Sequence, residues 1–321
     1  MVGSAEVAPE VSIVMATHDR PDQLRRQLET LRAQTLSSER YELIVVDDAS
    51  GPETAAVLDE AATAEGGPVL RVLRHDGAKG PAAARNAGWR VANAPLIAFT
   101  DDDCEASPQW LEAGLQAWRA RPDAFVQGPT RPIPREWSSF GPWSHTMVVS
   151  TLGPGFETCN IFYPREMLER LGGFDEVSYS MAGGEDTDLG WKAVTSGIVP
   201  TWAESAIMYH AVVQNGPLKQ IKRAWHWHES MLPFKRYPEL RRYRKGLVFW
   251  TDDHFGLFRA LVALVLPKRL WWLRWLLAAP YVTRLTNRRS GPLLVPYFVV
   301  RDVVEIAACV RGSIRYRVLV I

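Results

Sequence analysis

Short apolar runs and helical repeats alternate through the first part of the chain. Val11–Ala16 is an apolar run closed by polar Thr17-His18-Asp19-Arg20-Pro21, after which Leu24, Leu28 and Leu31 recur at helical spacing. A second strand is predicted over Tyr41–Val46, ending in Asp47-Asp48-Ala49-Ser50-Gly51. A helix over 53–64, a strand over 69–73 and a loop over 74–81 follow, then a helix over 82–92 and a strand over 96–100. A further helix is expected from Pro108 through Trp118. Strands alternating with helices predict an α/β fold, a Rossmann-like, mostly parallel sheet flanked by helices. Ligands of such sheets sit outside the carboxyl ends of the strands. The polar groups at 17–19, 47–48 and 101–103 each follow a strand, so they should converge on one edge.

The pattern weakens over Phe125–Thr151, where Pro129, Pro132, Pro134 and Pro142 are interspersed with Trp137 and Trp143. Strand and loop lining an acceptor cleft are expected there. Thr158–Tyr163 is strand-like, and a helix over 165–171 is stopped by Gly172-Gly173. Gly183-Gly184-Glu185-Asp186-Thr187-Asp188 opens another helix over 189–196, and strand-like 206–209 precedes His210. Beyond Gly216 the chain changes character. Apolar runs at 260–267, 275–283 and 293–300 are dense, yet none approaches the ~20 residues that cross a bilayer. Three regions are therefore expected: a tail over 1–10, an α/β domain over 11–215, and a helical region over 216–321.

Charge sharpens that division. The formal net charge is +1, but 219–290 holds 16 Lys or Arg against four acids, leaving +12 there and −11 elsewhere. Six of the 13 tryptophans lie in the same stretch. Basic residues beside Trp and Leu suit helices lying in a membrane interface, although a packed helical subdomain or a dimer surface would share the composition. At 47% hydrophobic and 23% charged, the chain belongs with ordered proteins. Cys104, Cys159 and Cys309 are too few and too scattered for a disulfide framework or a zinc spacing, which favours a reducing compartment. Residues 1–10 have neither the basic nor the apolar segment of a signal peptide.

Candidate chemistry starts at Asp101-Asp102-Asp103, directly after the apolar run 96–99. Clustered carboxylates raise the cost of ionising one another. A hard divalent ion such as Mg²⁺ removes that cost, and it typically takes one or two carboxylates together with substrate phosphates. A solvated acidic turn or a helix cap is the plainer alternative.

Six segments then add up. They are Val-Ser-Ile-Val-Met-Ala-Thr-His-Asp-Arg (11–20), Ile-Val-Val-Asp-Asp-Ala-Ser (44–50), Gly-Pro-Ala-Ala-Ala-Arg-Asn-Ala-Gly (80–88), Phe-Thr-Asp-Asp-Asp (99–103), Gly-Gly-Phe-Asp-Glu (172–176) and Gly-Glu-Asp-Thr-Asp-Leu (184–189). In this order and at these spacings they strongly resemble glycosyltransferase family 2, from about Val11 to His210. The resemblance implies a GT-A fold and inverting transfer from a nucleotide-activated sugar. It puts Ala16, Thr17 and Asp48 beside the nucleotide base, Arg85 on the nucleotide, and Asp102 on the ribose side. Asp103 would bind the metal, Mg²⁺ or Mn²⁺, with His210 as a second ligand on that side. Asp186 aligns with the general base, and Glu185 would adjoin the acceptor or orient the base. Processive members carry a Gln-x-x-Arg-Trp-type signature after the base; here the helix reads Leu189-Gly190-Trp191-Lys192, which favours a non-processive, single-sugar enzyme.

The expected partners are a nucleotide-sugar donor and a glycan or polyprenyl-linked acceptor in cell-envelope or polysaccharide biosynthesis. Peripheral contact at the cytoplasmic face of the membrane is expected, and nucleic acid is not. Three alternatives differ in class. A nucleotidyltransferase would need a phosphate-gripping loop near the first strand, and 17–20 has no glycine to build one. A non-catalytic nucleotide-sugar binder would have no use for intact acids at 101–103 and 185–186. A nucleic-acid binder could use the basic, Trp-rich tail for stacking.

Overall fold

Residues 8–286 and 291–321 are described by the computed structural model; the first seven residues of the expected tail lie outside the described residues. The chain opens as β1 (Val11–Thr17), α1 (Pro21–Arg32), β2 (Tyr41–Asp47), α2 (Pro52–Thr63), β3 (Val69–Arg74), α3 (Pro81–Arg90) and β4 (Leu96–Asp101). All three helices begin on proline, whose fixed φ suits a first turn and whose missing N–H is not needed there. There follow β5 (Cys104–Ala106), α4 (Trp110–Ala120), β6 (Val126–Gln127), β7 (Thr130–Pro132), β8 (Ser144–His145), β9 (Ile161–Pro164), α5 (Arg165–Leu171), α6 (Glu185–Thr195), β10 (Thr201–Trp202) and β11 (Met208–His210). The helix expected over 189–196 starts earlier, so Glu185 and Asp186 belong to its first turn.

The first unit comprises residues up to Trp137 together with Thr146–Val212. Its sheet has the order β10-β6-β9-β4-β1-β2-β3, in which β4, β1, β2 and β3 run parallel and β9 is antiparallel to β4 and β6. β1 and β2 are apolar on both faces because helices cover both sides, and β2 is buried along its whole length. Leu24, Leu28 and Leu31 of α1 fill one side with Leu96 and Trp110. A small second sheet, β5-β11-β7, sets His210 opposite Cys104.

Ser138–His145 and Val213–Ile321 form the second unit, so 138–145 clusters with the tail and not with the α/β domain to which its sequence position assigns it. There β12 (Val213–Gln214) pairs with β8, followed by α7 (Pro217–Trp225), α8 (Leu232–Arg236), α9 (Asp252–Val265), α10 (Trp271–Thr286) and α11 (Val295–Tyr316). Leu257, Tyr281, Leu285 and Phe298 make one of its buried apolar clusters, and the Tyr281 hydroxyl donates to Asp302 Oδ2 at 2.8 Å. Among the described residues no helix is long and apolar enough to cross a membrane.

Close packing of α3 on the sheet depends on one small residue. A Cβ on Gly88 would lie 2.5 Å from Val14 Cγ1 and 3.2 Å from Val46 Cγ2, both on stiff β-branched side chains of central strands. Alanine would gain about 1 kcal/mol of helix propensity, but overpacking a filled core costs about 1–3 kcal/mol. Gly88→Ala should therefore lower the urea midpoint of unfolding; a midpoint equal to or above wild type would show that α3 can lift off the sheet freely.

Candidate active site

Parallel pairing aligns the carboxyl ends of β1, β2 and β4, with Thr17 opposite Asp47 and Ala16 opposite Asp101. The expected convergence at one sheet edge is therefore present. Thr17 ends β1 and donates its Oγ1 to Asp102 Oδ2 at 2.8 Å. Partly exposed Ala16 is the preceding strand residue. Asp102 and Asp103 lie buried in the turn between β4 and β5, and the Arg20 guanidinium reaches both, at 2.8 and 2.9 Å. Burial pushes the Asp102 carboxyl up to about 6; the Arg20 charge opposes that rise and the Asp103 charge adds to it.

Asp48 follows β2 with both carboxylate oxygens occupied. Oδ1 accepts from the Lys79 N–H and pairs with His75 Nδ1, while Oδ2 accepts from the Gly80 N–H at 2.8 Å. Burial alone would raise this carboxyl, but His75 and the two N–H groups hold it below its ordinary value. Asp48 thus fastens the 75–80 loop that leads into α3. Gly80 has φ +90°, and a Cβ there would meet the Ser180 carbonyl oxygen at 2.3 Å, so this junction accepts only glycine. One turn further, Asn86 accepts from the Phe174 N–H and donates to the Phe174 carbonyl, which clamps the Gly172-Gly173-Phe174 turn against α3.

Arg85 joins the two acidic motifs. Its guanidinium donates to Asp101 Oδ1 at 2.8 Å and to Glu185 Oε1 at 3.1 Å, with Arg85 and Glu185 both almost wholly buried. Glu185 Oε2 accepts from the Gly183 N–H, which secures it at the start of α6. Asp186 Oδ2 accepts from the backbone N–H of Thr158 at 3.1 Å, with the Thr158 hydroxyl at 3.3 Å. Withdrawal from water, then the charge of Glu185, push the Asp186 carboxyl up to about 7, while Arg85 pulls the other way. The helix N-terminus, which by itself favours a charged carboxylate, does not win here.

Asp103, Cys104 and His210 offer ligand atoms within 4.8 Å of one another. His210 Nδ1 lies 2.9 Å from the Ala211 carbonyl, which can only accept, so Nδ1 carries the proton. Nε2 then lies 3.4 Å from Asp103 Oδ1. Burial pushes the Cys104 thiol well above its ordinary value, which opposes the thiolate form that ligates metals. One carboxylate and one imidazole with a backbone-fixed tautomer suit a divalent ion whose remaining positions go to water and phosphate.

The family model for glycosyl transferase family 2 matches residues 12–185. The chain belongs to that family. It is 30% identical over 235 residues to a validoxylamine A glucosyltransferase of Streptomyces hygroscopicus subsp. limoneus, covering 63% of this chain and 51% of that protein. It is 27% identical over 219 residues to glycosyltransferase AglE of Haloferax volcanii, covering 65% of this chain and 69% of the other. The match thus spans about half the length of the first of these relatives. Among solved structures, mannosyltransferase PcManGT from Pyrobaculum calidifontis, in complex with GDP-Man and Mn²⁺, superposes with a TM-score of 0.61 at 20% identity, covering 95% of this chain and 87% of that one. S. aureus TarS 1–349 in complex with UDP gives 0.54 at 15% identity, covering 95% and 91%. The fold is that of GT-A glycosyltransferases.

Within this family 2 domain, three residues at the edge were not singled out from sequence: Arg20, His75 and Thr158. Arg20 closes the first motif, and an acidic pair needs a nearby cation, so a signal for it existed. Thr158 has none, because its contact with Asp186 arises only where the turn before β9 approaches α6. Removing the Arg85 guanidinium would leave Asp101 and Glu185 facing each other without a counter-charge. Arg85→Met should cost about 3–5 kcal/mol of stability at neutral pH, and adding Glu185→Gln should restore part of it. Denaturant titration of the single and double variants measures this; an Arg85→Met protein as stable as wild type would remove the bridge from its structural role.

Proposed function

We propose that this chain is an inverting, metal-dependent glycosyltransferase that moves one sugar from a nucleotide-sugar to a hydroxyl of a glycan or lipid-linked acceptor. The observation that carries this reading is the Asp101–Arg85–Glu185 bridge, which brings the acids after β4 and the acids opening α6 into one cluster. A donor held at the β1, β2 and β4 ends would place its base near Ala16, Thr17 and Asp48 and its ribose near Asp102. The Nε of Arg85 is buried without a hydrogen-bond partner among the described residues, a donor that an anionic ligand oxygen would satisfy. Asp103 and His210 would hold the metal, which when bound supplies charge stabilisation to the departing diphosphate. That ion would be Mg²⁺ or Mn²⁺. The solved relative that carries GDP-Man with Mn²⁺ is consistent with such a donor.

Asp186 then acts as the base. Its ionised carboxylate takes the acceptor hydroxyl proton while that oxygen attacks the anomeric carbon and the nucleoside diphosphate leaves from the opposite face. Thr158 orients the carboxylate, and Glu185, occupied by Arg85 and Gly183, positions the turn. A desolvated base with a pKa about 7 combines high basicity with ionisation near neutral pH. A cell-envelope or polysaccharide precursor, met at the cytoplasmic face of the membrane, is the acceptor class this reading entails.

Nucleoside diphosphate release from UDP-glucose and GDP-mannose, with a panel of lipid-linked and free glycan acceptors, tests the assignment. Asp186→Asn should lower transfer by about 10²–10⁴-fold, and Asp103→Ala should abolish metal-stimulated turnover. Wild-type turnover in either variant would overturn the assignment. Because Asp186 must be ionised to act, the rate should fall about tenfold per unit as pH drops below about 7, and Asp186→Asn should lose that limb. The stability effect has the opposite sign. A raised carboxylate pKa means that the folded state holds its proton more tightly, so wild type loses stability as pH rises from the ordinary carboxylate range to about 7. Asp186→Asn should thus melt no lower than wild type at pH 8, as scanning calorimetry would record.

A further inference from the structure

Helices α9 and α10 form an antiparallel hairpin, with Arg259 donating to the Leu276 carbonyl and Arg284 paired with Asp253. Its two halves differ in chemistry. At the base, Leu257, Tyr281 and Leu285 are buried with Phe298 of α11, and Asp252 and Asp253 meet Arg284. Toward the tip, Phe258, Leu261, Leu264 and Val265 of α9 are exposed, as are Trp271, Trp272, Trp275 and Leu276 of α10. Pro280 marks the change along α10, with exposed indoles before it and the buried Tyr281 after it. The three indoles are 65%, 56% and 63% exposed, and exposed apolar side chains grouped in this way mark interaction sites.

Charge runs the same way. Residues 258–276 carry Arg259, Lys268, Arg269 and Arg274 and no acid. Among the described residues Lys268, Arg269 and Arg274 take part in none of the ion pairs. A second copy meeting this tip with its own is a poor cover, because it would bring four like charges against four. An anionic lipid surface matches both components: tryptophan and leucine settle at the boundary of headgroups and acyl chains, while lysine and arginine meet phosphate. At 16 residues α10 is roughly 24 Å long, less than the ~30 Å hydrocarbon core, so a partial, peripheral insertion is the geometry that fits.

We propose that the distal half of this hairpin, residues 258–276, docks the protein on an anionic lipid bilayer, with Trp271, Trp272 and Trp275 in the interface and Lys268, Arg269 and Arg274 on lipid phosphates. The surface deepens the membrane-side acceptor reading and rests on it for its purpose, yet it is measured without donor or acceptor. The experiment is co-sedimentation of the full chain with phosphatidylcholine vesicles, with and without phosphatidylglycerol. Wild type should bind the anionic vesicles, and salt should weaken that binding. The double variant Lys268→Gln, Arg269→Gln should bind about 30-fold more weakly, with unchanged melting, since both side chains are exposed. Lipid brominated near the headgroup should quench wild-type tryptophan fluorescence. A Trp271→Phe, Trp272→Phe, Trp275→Phe variant should still bind but lose most of the quenching. Asp186→Asn should bind as wild type does, so loss of transfer and loss of docking are separate results. Equal binding to neutral and anionic vesicles, no binding to either, or a solution dimer that the indole variant splits would each overturn the proposal.

Discussion

A buried guanidinium holds this site together. Family 2 chemistry, as the residues here would perform it, crowds carboxylates at the end of β4 and the start of α6, where mutual repulsion and poor solvation both oppose ionisation. Arg85 meets one acid from each side, Asp101 and Glu185, and does so from α3, an element packed on the central strands. Breaking such a buried pair costs several kcal/mol because the remaining charge has nowhere to go. The bridge therefore fixes the distance between the two halves of the site as well as neutralising it. Arg20 does the equivalent for Asp102 and Asp103 from the more exposed side.

The rest of the edge serves to keep α3 in place. Asp48 secures the loop entering it through two backbone N–H groups and His75, and Asn86 clamps the Phe174 turn on its far side. Gly88 lets the helix touch the sheet closely enough for Arg85 to reach both acids. The family segments at 44–50, 80–88, 99–103, 172–176 and 184–189, far apart in the chain, are thus parts of one mechanical assembly. Asp186 is the member left energetically unfavourable: its carboxyl is raised to about 7 by burial and by Glu185, and in the proposed reaction that instability would supply its basicity.

The second unit obeys a different logic. Much of its hydrophobic surface, above all at the α9–α10 tip, faces outward with basic residues beside it. Composition alone could not separate a membrane-facing hairpin from an ordinary helical subdomain, because both use Trp, Leu and Arg. What distinguishes them is the exposure of specific side chains, which depends on how α9, α10 and α11 pack.

Apolar periodicity by itself determined the alternating strands and helices of the first half, because a strand covered on both faces has to be apolar throughout and its neighbouring helices have to show a stripe. The same reasoning placed Thr17, Asp48 and Asp102 on one edge, since parallel strands bring like ends together. Local pattern also located Glu185 and Asp186, though it began their helix four residues late, because glycine and acidic residues read as loop until packing on Arg85 is known. Tertiary structure alone decided the rest: that Arg85 bridges rather than points to solvent, that Thr158 orients Asp186, that the His210 tautomer directs Nε2 to Asp103, and that 138–145 joins the tail. Each of these is a contact between segments tens of residues apart, and its energy depends on burial and angle, quantities that a linear pattern does not encode.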